Sequence, residues 1–554
     1  MKMKRKDTGP APLPPYEGPL TRRIHRRILI CFGLFCLGFS CLYLRIGLLS
    51  RSDELAETAA RQSRYTLTAV SDRGVIYDRR LQPLVGEETT PVSVILPQPR
   101  NTAAVLEAVP DSRKEAVSQL LQRGTPFLLQ DAVLPQELFG VYSFSARRRY
   151  SESQPAPHLI GYLNSEGQGI TGIEKSFDTL LQSRSHQIQV VCSLDGLQRA
   201  IAGAEPQLRE TGSETEGIAL TLDRQIQEIV EQAGQELLKK GAIVVMDPYS
   251  GEIIASASFP TFSPLHLEEA VSDTENSPMI NRALLPYSVG STFKVVTAAA
   301  ALEAGIPLTE TAECKGWINV SGQIFRCHLR SGHGELDMLD AMKESCNPYF
   351  IHLGLTVGGS ALLETAERFG FGQRVTLAEG LSVSAGTLPD EASLASPAAV
   401  ANLSFGQGEL TASPVQIARM MSAVVNGGWL ITPRLVLGET DGTVIQRQAA
   451  SLKKRVLEPE IAAQLQTFLI HCVMVSEGQN ALPQSVTAGG KTATAQTGRW
   501  DKDGNELEHG WFAGFFPAVN PSYVVVVLSE DSGFGNATAA PVFARIADEV
   551  MALG

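Results

Sequence analysis

Ser291-Thr-Phe-Lys294 sets a hydroxyl and an amine three residues apart. On a helix that spacing puts both groups on one face, a nucleophile beside its base. Two further pieces follow in order, Ser345-Cys-Asn347 and Lys491-Thr492-Ala493-Thr494, which offer a second hydroxyl, an amide and a second cation. Another serine-x-x-lysine, Ser451 to Lys454, lies in the polar run Ala-Ser-Leu-Lys-Lys-Arg and reads as solvated surface. Three ordered pieces are far harder to obtain by accident than one.

Outward from Ser291, a helix is predicted over Phe293 to Ala304, ended by Gly305-Ile-Pro307. Upstream, Ile226 to Lys240 carries Ile226, Ile229, Val230, Ala233 and Leu237 on one helical face. Gly241-Ala-Ile-Val-Val-Met246 reads as a buried strand, Asp247-Pro-Tyr-Ser-Gly251 as a turn, and the segment from Glu252 as its hairpin partner. Two more strands, Trp511 to Phe516 and Tyr523 to Leu528, precede a closing helix from Val542 to Met551. An antiparallel sheet built from early and late segments, flanked by helices, describes an α+β domain.

The 554 residues exceed one ordinary domain, and the 44% hydrophobic content is that of a globular protein. A net charge of −12 argues against a nucleic-acid partner, which requires clustered Lys and Arg. Residues 1–27 are the exception, with eight Lys or Arg against Asp7 and Glu17. They abut Ile28 to Leu44, a stretch with no charge, continued past Arg45 to Leu49. This is long enough to span a bilayer, and no small-x-small cleavage pattern follows it. The expected plan is a cytoplasmic basic tail (1–27), a transmembrane anchor (28–49), a mixed α/β pedestal domain (50–215) and a catalytic domain (216–554). The positive-inside bias places the catalytic domain outside the cytoplasm. A short helix, Glu54 to about Arg64, leaves the membrane. Of eight cysteines, Cys31, Cys36 and Cys41 lie in the apolar span, leaving five outside it. That odd number requires a free thiol or an intermolecular bond.

The three pieces resemble the S-x-x-K, S-x-N and K-T-G set of penicillin-recognising serine acyl-enzymes. Pro286-Tyr-Ser-Val-Gly before Ser291, Arg73-Gly-Val-Ile-Tyr-Asp78-Arg79, His158-Leu-Ile-Gly161, Gly172-Ile-Glu174, Asp247-Pro-Tyr-Ser-Gly251, and Gly406-Gln-Gly408 with Ser413-Pro-Val-Gln416 resemble class B penicillin-binding proteins from anchor to last helix. The resemblance implies a β-lactamase-like transpeptidase domain, an antiparallel sheet flanked by helices. It also implies a peptidoglycan D,D-transpeptidase that crosslinks stem peptides ending in D-Ala-D-Ala and is acylated by β-lactams. Ser291 would be the nucleophile, Lys294 its base, Ser345 the proton carrier to the leaving amine, and Asn347 the group orienting Lys294. Lys491 and Thr492 would hold the substrate carboxylate, with Gly490 beside them, and the backbone N–H groups of Ser291 and Thr494 would form the oxyanion hole. No cofactor is implied. The implied partner is a SEDS-family glycosyltransferase in the membrane.

Ala493 stands where the family has glycine, and an added methyl there could narrow the cleft. Asp78-Arg79-Arg80 lacks the Asn-Gly turn usual after the arginine, so a remodelled turn is expected. Cys327 and Cys346 are redox candidates, since a bond between them would pin the catalytic cleft. The alternatives are a Cys314–Cys327 bond or no bond. Cys314, Cys327, His328 and His333 lack the C-x₂₋₄-C start of a structural zinc site, so no metal is expected. His158 is read as packing, Arg73 and Asp78 as an ion pair, and Trp429 and Trp511 as core or cleft wall. The rival functions are a serine β-lactamase or D,D-carboxypeptidase, and a non-catalytic cell-wall scaffold or β-lactam sensor. A class A β-lactamase requires an E-x-x-L-N motif, which neither Glu379-Gly-Leu-Ser-Val nor Glu391-Ala-Ser-Leu-Ala supplies.

Overall fold

The computed structural model describes residues 19–50, 63–135, 137–201, 203–475 and 480–553. Helix α1 (Pro19–Leu49) begins within the basic tail, and its 27-residue Arg23–Leu49 portion, which contains an 18-residue stretch of mean hydropathy 2.0, is long and apolar enough to cross a membrane. The short helix expected after it lies outside the described residues through residue 62, and Arg64 instead starts the strand Arg64–Asp72.

The chain forms two compact units, one drawn from residues 1–69, 93–143 and 189–209, the other from 70–92, 144–188 and 210–554. In the first, the helices Thr102–Glu107 and Asp111–Arg123 cover a core that includes Ile95, Val105, Val117, Leu121, Phe127 and Leu129. Asn101 is buried there because its amide donates to Leu96 O and Phe139 O, at 2.9 and 3.0 Å.

The second unit is organised by a five-stranded antiparallel sheet. Its strands are β1 (Gly241–Met246), β2 (Ile253–Phe259), β3 (Gly489–Trp500), β4 (Glu506–Phe516) and β5 (Tyr523–Ser529), in the order β2-β1-β5-β4-β3. Strands β1 and β5, and β4 from Trp511 on, read as largely apolar runs because both their faces are covered. Side chains alternate between two cores: Ala242, Val244, Val524, Val526, Trp511 and Phe515 enter one, while Ile243, Val245, Val525, Val527, Phe512 and Phe516 enter the other. The second core is closed by α2 (Arg224–Leu237) and by the last helix, residues Ala540–Met551. Asp223 starts α2 by accepting from the backbone N–H groups of Gln225 and Ile226.

The first core is closed by α3 (Lys294–Glu303), α4 (Met338–Lys343), α5 (Asn347–Val357), α6 (Pro414–Val425) and α7 (Pro459–Met474); α8 is the closing helix Ala540–Met551. The Ser413-Pro-Val-Gln416 motif is the capping box of α6.

Two expectations on the segments before residue 216 resolve differently. His158 packs: its Nε2 lies 2.6 Å from Pro278 O, its ring meets the edge of Phe262, and burial pushes its pKa down to about 4. Arg73, however, does not pair with Asp78. It binds Glu174 at 2.9 Å and Asp178 at 2.7 Å, and Arg149 reaches the other Glu174 oxygen at 2.6 Å. Asp78 is instead turned into its own loop, where it accepts from the N–H groups of Arg80 and Gln82, both at 2.8 Å. Those two bonds form the remodelled turn expected there.

Candidate active site

Ser291 lies in a single 3₁₀ turn, Gly290–Phe293, that runs directly into α3. The α-helix predicted from Phe293 therefore begins one residue later, at Lys294. The tighter turn preserves the proposed alignment, because residues i and i+3 eclipse in a 3₁₀ helix. Gly406, at φ +80°, crosses this turn and accepts a hydrogen bond from Gly290 N at 3.0 Å. A Cβ on Gly406 would collide with Gly290 O, which explains the glycine in Gly406-Gln-Gly408.

Lys294 is fully buried. Its Nζ donates to Ser345 O at 2.6 Å and Asn347 Oδ1 at 2.7 Å, and lies 3.1 Å from Ser345 Oγ. The Phe350 ring covers it with its centroid at 5.5 Å. Burial, and then the charge of Lys491, hold the Lys294 pKa well below the ordinary lysine range. Lys491 is also buried, donates to Thr492 O at 3.0 Å, and has a pKa lowered by burial. Ser291 Oγ has no hydrogen-bond partner among the described residues.

Ser345 and Asn347 reach Lys294 through a strained loop. Ser345 has φ +50°, in the left-handed region that non-glycine residues rarely occupy. Cys346 is the N-cap of α5, Asn347 opens the helix, and Asn347 Nδ2 donates to Arg326 O at 3.2 Å. On β3, Thr492 pairs with Phe512 and Thr494 with Gly510. Thr494 Oγ1 accepts from Gly535 N at 3.4 Å. Gly490 faces Gly514, and a Cβ there would approach Phe512 Cζ at 2.5 Å and Ala513 O at 2.8 Å, so glycine is required by strand packing. Ala493 is 3% exposed and belongs to the packed core shared with Trp511 and Ala495, so its methyl is covered.

The structure thus brings Ser291, Lys294, Ser345, Asn347, Lys491, Thr492 and Thr494 to the end of one core beside β3. Trp511 was expected only as core or wall, yet its Nε1 also donates to Ser288 O at 2.9 Å and ties the segment leading to Ser291 to β4. Trp429 lies apart from the site, faced by Lys453 at 4.9 Å and Arg455 at 4.5 Å. Nothing local in the sequence marks the Trp511 contact, since Trp511 and Ser288 are 223 residues apart. Cys327 and Cys346 are buried, adjacent and free.

Residues 241–548 match the family described as "Penicillin binding protein transpeptidase domain". The chain belongs to the penicillin-binding protein transpeptidase family. Among curated relatives, it is 28% identical over 566 residues to "Stage V sporulation protein D" of Bacillus subtilis (strain 168), covering 94% of this chain and 85% of that one. Its relatives place it in the class B branch of the penicillin-binding proteins. Two solved structures share the fold. A chain of "Structural coordination of polymerization and crosslinking by a peptidoglycan synthase complex" matches with a TM-score of 0.66 at 24% identity, over 94% of this chain and 97% of the other. Penicillin-binding protein A of M. tuberculosis, solved as a ceftriaxone acyl-enzyme complex, matches with a TM-score of 0.62 at 24% identity, over 86% and 98%. In this penicillin-binding protein the matched region holds every site residue named above and all five strands of the sheet.

Proposed function

We propose that this chain is a membrane-anchored, serine-type peptidoglycan D,D-transpeptidase. The observation that carries the reading is Lys294: a fully buried amine beside a second buried lysine, hydrogen-bonded to Asn347 and Ser345 and one 3₁₀ turn from a serine hydroxyl that has no hydrogen-bond partner among the described residues. Burial disfavours its charged form, so Lys294 Nζ accepts the Ser291 proton as a neutral amine. Ser291 Oγ attacks the carbonyl carbon of the penultimate D-alanine, and the developing oxyanion takes hydrogen bonds from the backbone N–H groups of Ser291 and Thr494. Removing one such donor typically costs about 10² to 10³ in rate.

As the tetrahedral intermediate collapses, the bond to the terminal D-alanine breaks. Ser345 Oγ, within reach of Lys294, passes the proton to the departing amine. Asn347 keeps Lys294 oriented, and Lys491 and Thr492 hold the substrate carboxylate. The acyl group then moves to an amine of a second stem peptide, forming the crosslink and regenerating Ser291. β-Lactams follow the same acylation and stop there, as the acyl-enzyme of the M. tuberculosis relative illustrates for that protein.

Helix α1 supports a membrane anchor, and the excess of Lys and Arg ahead of it supports a cytoplasmic N-terminus. Strand polymerisation then comes from a partner. The structural neighbour solved in a complex that coordinates polymerisation and crosslinking supports a polymerising partner, for which we propose a SEDS-family glycosyltransferase. The test is a crosslinking reaction with the full-length chain in detergent, a donor strand carrying D-Ala-D-Ala stems, and an acceptor amine. Release of D-alanine matched by new crosslinks is expected, and Ser291→Ala abolishes both. Crosslinking that survives Ser291→Ala would overturn the assignment.

A further inference from the structure

Three cysteines and a histidine converge behind the Ser345 loop. One ligand atom from each of Cys314, Cys327, His333 and Cys346 lies within 4.8 Å of all the others. Cys314, Cys327 and Cys346 are each 2% exposed or less. From sequence, Cys314, Cys327, His328 and His333 were weighed as a set and no metal was expected; Cys346 did not enter that set because it lies 13 residues beyond His333, within the Ser345-Cys-Asn347 motif. We infer that Cys314, Cys327, His333 and Cys346 form a tetrahedral zinc site that braces the catalytic Ser345–Asn347 loop.

The donor set is that of a structural zinc centre, three thiolates and one imidazole closing all four positions. With zinc–ligand bonds of about 2.0 to 2.3 Å, neighbouring ligands of a tetrahedron stand about 3.4 to 3.8 Å apart. Cys327 Sγ lies 3.6 Å from His333 Nδ1. Among the described residues the His333 Nε2 is buried without a hydrogen-bond partner, its Nδ1 faces sulfur, and its ring meets that of His328 with centroids 5.2 Å apart.

The backbone is built to present these groups. The strand Ala312–Cys314 pairs with Gly334–Leu336, with Cys314 opposite Gly334, which sets His333 beside Cys314. The hairpin Trp317–Val320 with Gln323–Arg326 delivers Cys327, whose N–H donates to Gly316 O at 2.9 Å. Gly316 and Gly332, at φ +86° and +84°, pass so closely that a Cβ on either would meet the other's N–H at about 3 Å. Two tight turns thus face each other across the sulfurs, and α5 contributes the fourth ligand from its N-cap. Binding replaces the three thiol protons, which leave to solvent, and forms three sulfur–zinc bonds and one nitrogen–zinc bond.

The site has a mechanical consequence for catalysis. Cys346 sits between Ser345 and Asn347, both partners of Lys294, and Asn347 Nδ2 is anchored on Arg326 O, next to Cys327. Zinc would therefore hold the left-handed Ser345 backbone in place from behind. It would also occupy the sulfurs that a Cys327–Cys346 disulfide would consume.

The full-length chain, purified in detergent without added chelator, should contain about one zinc per chain by atomic spectrometry. After exchange into Co²⁺ it should show thiolate-to-cobalt charge transfer and intense tetrahedral d–d bands. Cys314→Ser should weaken zinc binding by at least about 10- to 100-fold in chelator competition. Cys192→Ser, in the other unit, should not. Because the wild-type metal content and the cobalt spectrum are read without any variant, a Cys314→Ser chain that fails to fold leaves the test intact. Ser291→Ala should retain full zinc, which separates this proposal from the transpeptidase reading. A reduced wild-type chain that holds no zinc and gives no tetrahedral cobalt spectrum would overturn the site. So would a Cys327–Cys346 crosslinked peptide in a non-reducing digest of freshly isolated membranes.

Discussion

Lys294 decides between an active acyl-enzyme and an inert scaffold, because only an uncharged amine can take the Ser291 proton. Its folded pKa is lowered by burial and by Lys491, so the competent neutral form dominates above that lowered pKa and is lost as pH falls through it. The second-order rate of acylation by a fluorescent penicillin should therefore rise with pH and level off well short of the ordinary lysine range. Lys294→Met should remove this limb and slow acylation by about 10² to 10⁴. Ala493 is a residue at which family comparison alone misleads. Glycine stands there in the family, but the methyl here is packed into the core and does not line the open cleft. Ala493→Gly should leave acylation essentially unchanged while lowering stability by about 0.5 to 1 kcal/mol, read from the denaturation midpoint.

The elements that carry the site were legible to different degrees. Strands β1, β4 and β5 were readable because two-sided burial writes them as unbroken apolar runs, and α3 because Gly305-Ile-Pro307 ends it. The 3₁₀ turn under Ser291 was not, since its sequence is equally compatible with the first turn of an α-helix. Arg73 was assigned to Asp78, five residues away, when its partners are 101 and 105 residues away. Cys346 was not grouped with Cys314, Cys327 and His333 for the same reason, since the four are delivered by a strand end, a hairpin, a turn and a helix cap. Trp511 belongs to this class of long-range contacts. Trp511→Phe keeps the ring in the core but leaves Ser288 O without its donor, at a cost of about 1 to 3 kcal/mol. The loosened turn should also slow acylation more than it weakens reversible penicillin binding, a split that the concentration dependence of the acylation rate would expose.

Across the whole molecule, sequence-distant segments are built into the catalytic unit. Residues 70–92 and 144–188 join it, and Arg73, Arg149 and Glu174 fasten them through a carboxylate with no solvent exposure. Arg73→Met leaves that buried charge short of one partner and should cost about 3 to 5 kcal/mol, seen as a lowered unfolding midpoint of the full-length chain. The apolar N-terminal helix, the sheet-centred unit and the ordered motifs together support the proposal that the chemistry runs through Ser291. The most direct measurement is the intact mass of the full-length chain after exposure to benzylpenicillin, alongside Ser291→Ala. A single stable adduct on the wild-type chain, mapped to the peptide bearing Ser291 and absent from the variant, is the expected result. An adduct that persists in Ser291→Ala, or a folded wild-type chain that acquires none, would contradict it.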